Sequence, residues 1–316
     1  MKCLVCQSDS KKIYDLPSEK IRKNLSDYYS EKVPEVIKIL DYQMFECTKC
    51  SLVFANPASP GNNEFYVWIS RHNSYYPTAR WEWDLLLDYI QINSSKKLLE
   101  IGSGDGKFLR LCVEKYPEKF FEGIDTNPEQ VVKCKKLGIN CYCGELKDYS
   151  KTHKNKFDLI VAFHCLEHVD DPLELIKQCK KMLNKNGKIL ISTPFRLEKD
   201  FWFDIMDHPP HHLTRWNKSA YTELAHQANL KSSFYMPFAP NSLVRALYAT
   251  FVKFYGKKEV SKKMLIVSML RHPLFFFSCF LGHLLIKSDF FLEKENGKFE
   301  LKRFKPNTVV LVELGE

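Results

Sequence analysis

Apolar and polar residues follow two different periods along the middle of the chain. Short continuous apolar stretches at 97–102, 120–125 and 157–163 predict buried β-strands. The segments between them carry the apolar spacing of amphipathic helices, and Pro128 and Gly138 bound one of these helices. Strands that alternate with helices of this length predict an α/β fold, with a parallel sheet covered by helices on both faces.

The alternation extends to either side of this central stretch. Further helices are predicted over 82–93, 171–187 and 217–229, with the second of them ending at Gly187. Further strands are predicted over 140–143, 188–194, 230–236 and 307–315.

Three parts follow from these patterns. Residues 1–60 are bounded by cysteines and end in a Pro/Gly/Asn-rich stretch typical of a linker. The α/β domain takes residues 61–236 and closes with 307–316. Residues 237–306 interrupt its alternation, which indicates an insertion before the last strand.

The insertion is both basic and apolar. Between Arg245 and Lys305 it carries 13 Lys/Arg and 5 Asp/Glu, so it accounts for most of the net charge of +9. Its most hydrophobic part, 264–287, has at most 15 consecutive residues without a charged side chain, fewer than a membrane-spanning helix needs. Three interpretations stay open: packing as helices on the domain, a homodimer interface, or peripheral contact with an anionic membrane surface.

The N-terminus and the cysteines indicate the cellular compartment of the protein. The first twelve residues contain no apolar core of a secretory signal, and the eleven cysteines are scattered rather than spaced as a small disulfide scaffold. We therefore expect a cytoplasmic protein with reduced thiols, in which the insertion allows a peripheral position at the inner face of the membrane.

A glycine loop follows the first strand of the α/β domain. Its pattern, Gly102-Ser-Gly104-Asp-Gly106, places Lys107 where the dinucleotide fingerprint has its third glycine. Such a loop allows a close approach of ligand to backbone, and the next helix points N–H groups at it. Asp125 ends the following strand, where a carboxylate accepts hydrogen bonds from ribose hydroxyls. The spacing argues against an NAD-dependent oxidoreductase.

Four ordered stretches, "LLEIGSGDG", "FEGIDTNP", "FDLIVAFHCLEHVDDP" and "LNKNGKILISTP", resemble the class I S-adenosylmethionine (SAM)-dependent methyltransferases. The resemblance covers about residues 80–236 plus the closing strand. It implies a Rossmann-like sheet of seven strands, the last of them antiparallel and placed beside the fifth. It also implies a set of cofactor-binding residues: Glu100, Gly102, Ser103, Gly104, Gly106, Asp125, Glu145, Phe163 and His164.

Two cysteine pairs near the N-terminus have the spacing of metal ligands. Cys3-x-x-Cys6 and Cys47-x-x-Cys50 predict a structural Zn²⁺ site with four thiolates, with a loop or helix around 34–43 filling the gap between the pairs. Chance clustering and a disulfide are the alternatives. The segment resembles the zinc-ribbon extension of methyltransferases found in sugar and surface-polysaccharide pathways.

The methyl acceptor is expected at the stretch "DHPPHHLTRW", which follows the fifth strand. His211 and His212 are candidate general bases, Asp207 could orient one of them, and Arg215 could bind an anionic group. The alternative is a structural role in capping or hydrogen bonding. In "HCLEHVDD", His164 replaces the first Glu of the Glu-x-x-Glu-His metal motif of quinone-precursor methyltransferases, so a structural His168 is favoured over catalytic Mg²⁺.

These features favour a SAM-dependent methyltransferase that acts on a sugar, most simply on a hydroxyl. The sugar would belong to a nucleotide-sugar, a lipid-linked glycan or a surface polysaccharide. An RNA methyltransferase with a zinc module is the first alternative. The basic charge is concentrated in one hydrophobic segment, which argues against nucleic acid as the substrate. A non-catalytic binding subunit with the same fold is the second.

Overall fold

The computed structural model describes two compact units. The first comprises Met1–Met236 and Val309–Glu316, and the second Pro237–Thr308. The residues described are 1–72, 79–92, 95–195, 207–235, 266, 269–274, 276–277, 291–295, 298–302 and 308–316.

A seven-stranded sheet forms the centre of the first unit, as the sequence predicts. Its strand order is β10-β13-β8-β7-β4-β5-β6, and β4, β5, β6, β7 and β8 pair in parallel. The last strand, β13, lies between β8 and β10 and runs antiparallel to β10. The strands are β4 (Lys97–Ile101), β5 (Phe120–Asp125), β6 (Asn140–Cys143), β7 (Phe157–Phe163), β8 (Leu183–Phe195), β10 (Lys231–Tyr235) and β13 (Thr308–Gly315).

Helices cover this sheet, and all of them except α6 lie where the apolar spacing predicts a helix. Asn127, Asp171 and Asn217 each accept a hydrogen bond from a backbone N–H of the helix that follows, which fixes where α5, α7 and α8 begin. The helices are α3 (Trp81–Ile92), α4 (Lys107–Lys115), α5 (Pro128–Lys136), α6 (Leu146–Thr152), α7 (Pro172–Met182) and α8 (Lys218–Gln227).

One predicted boundary is wrong. The helix predicted over 171–187 ends at Met182, and β8 begins at Leu183 rather than at 188. Leu183 pairs with Phe157 on β7, so the residues from Leu183 onward belong to the sheet and the helix ends before them. Gly187 lies inside the strand and does not end the helix.

The N-terminal residues form a second, antiparallel sheet within the same unit. Strands β1 (Ser10–Leu16), β2 (Tyr42–Cys47), β3 (Val53–Asn56) and β9 (Thr214–Arg215) follow in that order, so β9 adds a strand from the α/β part of the chain. The gap between the cysteine pairs is filled by helix α1 (Ser18–Tyr29), whereas 34–43 holds no helix. Helix α2 (Asn63–Ser70) follows β3.

Two hydrophobic clusters stabilise these two sheets. One lies beneath the seven-stranded sheet and includes Phe108, Leu159 and Leu311. The other belongs to the N-terminal module, packs Ile21 and Phe65 among others, and takes Leu213 from the segment before β9. Because β9 and Leu213 belong to the N-terminal sheet and its core, the predicted 55–63 linker does not separate two independent bodies.

Little of the second unit is described. Strands β11 (Phe291–Glu295) and β12 (Lys298–Lys302) pair antiparallel, and helical residues occur between 266 and 277. Most of 264–287 lies outside the described residues. Among the described residues, no helix is long and apolar enough to cross a membrane. The interpretations of this segment as a packing, dimer or membrane surface therefore stay predictions.

Candidate functional site

A cavity of about 730 Å³ opens at the carboxyl ends of β4, β5 and β7. The glycine loop and the end of β5 form one end of its lining, and the end of β7 and the His-rich loop form the other. The N-terminal module contributes a third wall from α1 and α2. The sequence therefore brings the predicted cofactor residues and the predicted acceptor residues into one cavity.

The glycine loop is held in place by Asp125. One carboxylate oxygen of Asp125 accepts a hydrogen bond of 2.8 Å from the N–H of Gly104, and the other accepts one of 2.8 Å from Asn127. Gly106 has φ +77°, and a Cβ there would lie 2.7 Å from Sγ of Cys134, so only glycine fits without a shift. Burial raises the pKa of Asp125, although these two hydrogen bonds oppose the shift.

Glu100 shows whether the glycine-loop end of the cavity suits a cationic ligand. Its side chain is buried beneath the loop, and Oε2 has no hydrogen-bond partner among the described residues. Burial and the negative charge of Asp125 hold its pKa well above the ordinary value. A buried carboxylate that lacks a partner fits the ammonium group of the methionine part of SAM, so the residues present suit this cofactor.

The remaining predicted cofactor residues also line the cavity, with different roles for their side chains. Ser103 lines it through its backbone, since its Oγ is paired with Sγ of Cys141 at 3.2 Å. Glu145 is exposed at the start of α6. Phe163 is buried and packs edge-on against Phe108 at 4.9 Å.

Three histidine rings converge at the other end of the cavity. Their centroids lie 4.6 Å apart for His168 and His211, 4.9 Å for His168 and His212, and 4.4 Å for His211 and His212. Hydrogen bonds hold the loop in place: the N–H of Leu213 donates to the carbonyl of Glu167, and the N–H of Gly61 donates to that of Pro210. The two histidine motifs that the sequence separates by more than forty residues thus form one cluster, called the histidine cluster below.

Asp207 contacts one of these rings. Its Oδ1 lies 2.9 Å from Nδ1 of His212. The guanidinium of Arg215 donates to the carbonyl of Asp207 at 2.9 and 3.0 Å and lies 3.2 Å from its Oδ2. Arg215 is 6% exposed, so the expectation that it binds an anionic group is wrong: it holds Asp207 instead.

A buried charge network surrounds His164 at the end of β7. His164 has φ +48° at the end of β7, and its ring lies between two buried carboxylates: Nε2 is 3.2 Å from Glu82 and Nδ1 is 3.4 Å from Glu167. Glu167 also lies 3.9 Å from Nε2 of His212, while its Oε2 has no hydrogen-bond partner among the described residues.

These contacts shift the pKa values in opposite directions. Burial lowers the pKa of His164, but its hydrogen bonds with Glu167 and Glu82 outweigh burial and raise it overall. Burial raises the pKa of Glu167, yet the His164 hydrogen bond and the charges of His168, His164 and His212 bring it down to about 2. Burial lowers the pKa of His168 to about 4, although Glu167 opposes this. Glu167 is therefore ionised and His168 neutral near pH 7.

Sequence reasoning missed several residues of this site. Tyr28, Tyr29 and Tyr66 of the N-terminal module line the cavity, and Tyr66 stands edge-on to His168 at 6.0 Å. No local pattern marks these tyrosines or Glu82, because they reach the cavity through tertiary packing. Trp68 is buried in the hydrophobic cluster of the N-terminal module and Trp83 in that of the seven-stranded sheet, and residues 73–78 lie outside the described residues.

The four N-terminal cysteines meet at a single point. Sγ of Cys3 lies 3.7 Å from that of Cys50, and Sγ of Cys6 lies 3.4 Å from that of Cys47 and 3.9 Å from that of Cys50. Four thiolates around Zn²⁺ at 2.3 Å lie about 3.8 Å apart. Backbone N–H groups of Val5, Lys49 and Cys50 point at the sulfurs, as they do around a thiolate–metal site. All four cysteines are free, so the disulfide alternative is wrong.

Comparisons with known proteins agree with the fold and the loop. Residues 73–232 match the family model of the methyltransferase domain. Among curated proteins, the ubiquinone biosynthesis O-methyltransferase of Actinobacillus pleuropneumoniae serotype 5b is 31% identical over 136 residues, covering 39% of this chain and 57% of the relative. That of Neisseria meningitidis serogroup A is 28% identical over 120 residues, covering 34% and 50%. The chain thus spans about half the length of these relatives.

Solved structures show similar folds at lower identity. The SAM-dependent methyltransferase from Archaeoglobus fulgidus matches with a TM-score of 0.46 at 15% identity, covering 74% of this chain and 94% of that one. The plantazolicin methyltransferase BpumL in complex with SAH matches with a TM-score of 0.48 at 16% identity, covering 80% and 90%. The family match extends over half of the chain and includes the glycine loop, Asp125 and the histidine cluster. The chain therefore belongs to the methyltransferase-domain family and carries a class I SAM-dependent methyltransferase domain.

Proposed function

We propose that this protein transfers the methyl group of SAM to a hydroxyl of a sugar, carried by a nucleotide-sugar, a lipid-linked glycan or a unit of a surface polysaccharide. The observation that carries the proposal is the His212–Asp207 pair, which shares one cavity with the glycine loop and Asp125. A cofactor bound at one end of this cavity leaves the other end for the acceptor.

The cofactor end supplies binding and orientation. Gly102, Gly104 and Gly106 leave space for the cofactor close to the backbone, Asp125 accepts from the ribose, and Glu100 faces the ammonium group. Glu145 borders the place of the adenine, and Phe163 and His164 close the pocket at the end of β7. When bound, SAM supplies a methyl group activated by a sulfonium.

The acceptor end supplies a proton acceptor. Asp207 accepts from Nδ1–H of His212, which leaves Nε2 of that ring as the basic nitrogen. His211 stacks on His212 with an interplanar angle of 19° and limits its rotation. A sugar hydroxyl is a weak acid, so a base that receives its proton as the oxygen attacks the methyl carbon lowers the barrier.

The walls of the acceptor end suit a ring-shaped polar substrate. Tyr28, Tyr29 and Tyr66 provide aromatic surface, and Asn63 and Asp170 provide hydrogen-bonding groups beside the histidines. A site with apolar aromatic walls and a few polar groups fixes both the face and the orientation of its ligand. A sugar ring presents a C–H face and hydroxyl edges and so matches both features.

The same proposal includes a structural Zn²⁺ held by Cys3, Cys6, Cys47 and Cys50. The spacing of the four sulfurs and the N–H groups that point at them support it. Four thiolates leave no open position on the ion, so its role is to hold β1 and β2 together and thereby to place α1 and α2 at the cavity.

The experiment is a substrate screen with the purified full-length chain. The chain is incubated with SAM and a panel of nucleotide-sugars, and S-adenosylhomocysteine and methylated products are measured by mass spectrometry. We expect both products with at least one sugar, and a gain of one methyl group on an oxygen. Binding of SAM without turnover of any sugar in the panel or in cell-surface glycan extracts would contradict the sugar assignment.

A phenolic hydroxyl is the second candidate acceptor. It is favoured by the curated relatives, which are ubiquinone biosynthesis O-methyltransferases, and the same tyrosine walls would accept an aromatic ring. A panel of catechols and hydroxybenzoates in the same assay separates the two candidates, because only one class should reach saturation at micromolar concentrations.

A further inference from the structure

We propose that the histidine cluster is a binding site for a divalent transition metal such as Zn²⁺, Fe²⁺ or Co²⁺, ligated by His168, His211 and His212. One nitrogen of each ring lies within 4.8 Å of the corresponding nitrogen of the other two. Ligands around a tetrahedral ion are closer, about 3.3 Å apart at metal–nitrogen distances of 2.0–2.1 Å. Binding of an ion therefore requires the nitrogens to move closer together by up to about 1.5 Å.

The groups behind the rings are those that orient metal-binding histidines. Nδ1 of His168 is bonded to the carbonyl of His211 at 2.5 Å, and Nδ1 of His212 is bonded to the carboxylate of Asp207 at 2.9 Å. A histidine that donates from one nitrogen to a carbonyl or carboxylate presents the other nitrogen as a ligand in a fixed orientation. In both rings that nitrogen is Nε2.

A buried carboxylate beside the cluster is the second, independent observation. Glu167 is 1% exposed, lies 3.9 Å from Nε2 of His212, and keeps Oε2 without a hydrogen-bond partner among the described residues. A buried carboxylate oxygen without a partner next to three imidazoles is a place where a divalent cation would supply the missing partner.

The ligand chemistry selects the class of metal. Imidazole nitrogens favour zinc, iron, nickel and copper, whereas Mg²⁺ requires oxygen ligands. The site therefore differs from a Glu-x-x-Glu-His magnesium site, in which carboxylates predominate. Two of its three ligands come from the loop that follows Asp207, and His164 is occupied by Glu82 and Glu167.

The site also bears on how the acceptor is activated. Three protein ligands leave an open position that faces the cavity, and a metal ion lowers the pKa of an oxygen that binds to it. With the ion bound, Nε2 of His212 would be a ligand and no longer the base. The ion would then lower the pKa of an acceptor hydroxyl at its open position, and the proton of that hydroxyl would pass to bulk water. This role rests on the proposed function, whereas the binding of the ion does not.

The test is a titration of the full-length, chelator-treated protein with Co²⁺, monitored by absorption and metal analysis. The cysteine site gives thiolate-to-cobalt charge-transfer bands and the histidine cluster does not, so the two sites are read separately. We expect two ions per chain in the wild type and one in His211→Gln and His212→Gln, with the charge-transfer bands unchanged. His226→Ala, which alters an exposed histidine on α8, should keep both ions.

A variant of Asp207 sharpens the test, because this residue orients a proposed metal ligand but does not itself bind the ion. Asp207→Asn should weaken binding of the second ion by about 10- to 100-fold without abolishing it. Thermal melts of each variant confirm that the fold persists. One ion per chain in the wild type, or a second ion that both glutamine variants retain, would overturn the proposal. Two ions without turnover of any hydroxyl acceptor would instead count against the proposed function.

Discussion

The two ends of the cavity are built in opposite ways. The cofactor end comes from one continuous stretch, β4 to β7, and depends on backbone: a glycine loop, strand ends and one carboxylate that ties them together. The acceptor end is assembled from α1, α2, the end of β7 and the loop before β9, and it depends on side chains. Under the proposed function, local geometry secures binding of the methyl donor, whereas recognition of the acceptor depends on docking of the N-terminal module.

The most severe way to break this arrangement is to remove a proposed zinc ligand of the N-terminal module. In Cys47→Ser we expect loss of Zn²⁺ and unfolding of the module, because binding of structural zinc contributes about 10 kcal/mol or more to folding. Turnover should disappear while SAM still binds within about threefold of the wild-type affinity, since the core beneath β4 and β5 is a separate cluster. Calorimetry with SAM and metal analysis measure both effects.

Cys143→Ser is the matched control, because Cys143 is exposed at the end of β6 and outside the cysteine cluster. It should keep both zinc and turnover. Loss of SAM binding in Cys47→Ser equal to its loss of turnover would show that the two ends are not independent.

The next effect falls on the acceptor end alone. His212→Ala should lower kcat by about 10²- to 10⁴-fold, the usual contribution of a positioned proton acceptor, and leave the Kd for SAM within about twofold. Asp207→Asn should lower kcat less, since His212 keeps its ring in place. His226→Ala serves as the control. A kcat for His212→Ala within threefold of the wild type would exclude this ring from the chemistry.

The cofactor end is broken by Asp125→Ala. The variant loses the proposed ribose acceptor, whose hydrogen bonds contribute about 1.5 kcal/mol or more each, and the two bonds that order the loop, so the Kd for SAM should rise about 100-fold. Metal binding at the histidine cluster should be unchanged. Asp148→Ala, at an exposed carboxylate on α6, is the comparison. An unchanged Kd for SAM in Asp125→Ala would mean that this carboxylate does not hold the loop.

The contrast between the two ends of the cavity also explains which of their residues can be predicted from the sequence. Gly102, Gly104, Gly106 and Asp125 are found from sequence because adjacent parallel strands end at the same edge of the sheet, so short spacing determines their proximity. Cys3 and Cys47 are found because paired cysteines at fixed spacing have few other uses. In each case the chemistry is encoded within one or two short motifs.

The acceptor end is predicted only in part for the corresponding reason. His211, His212 and Asp207 stand in one short stretch and are found, but their meeting with His168 depends on how the loop docks on the end of β7. Arg215 was assigned to a ligand because its partner, the backbone of Asp207, leaves no mark in the sequence. Tyr28 and Glu82 reach the cavity from helices whose own patterns predict only burial or exposure.

The smallest effect tests the wall that the N-terminal module contributes. Tyr28→Ala should raise KM for a ring-shaped acceptor by up to about tenfold, since an aromatic contact contributes about 0.5–1.5 kcal/mol, with kcat and the Kd for SAM nearly unchanged. Tyr28→Phe should restore most of the loss, because the ring rather than the hydroxyl makes the contact. A KM that stays at the wild-type value in Tyr28→Ala would place the acceptor away from α1. The specificity of the acceptor end would then have to come from α2 and the histidine cluster alone, and the module's contribution would be to position β3 against β9.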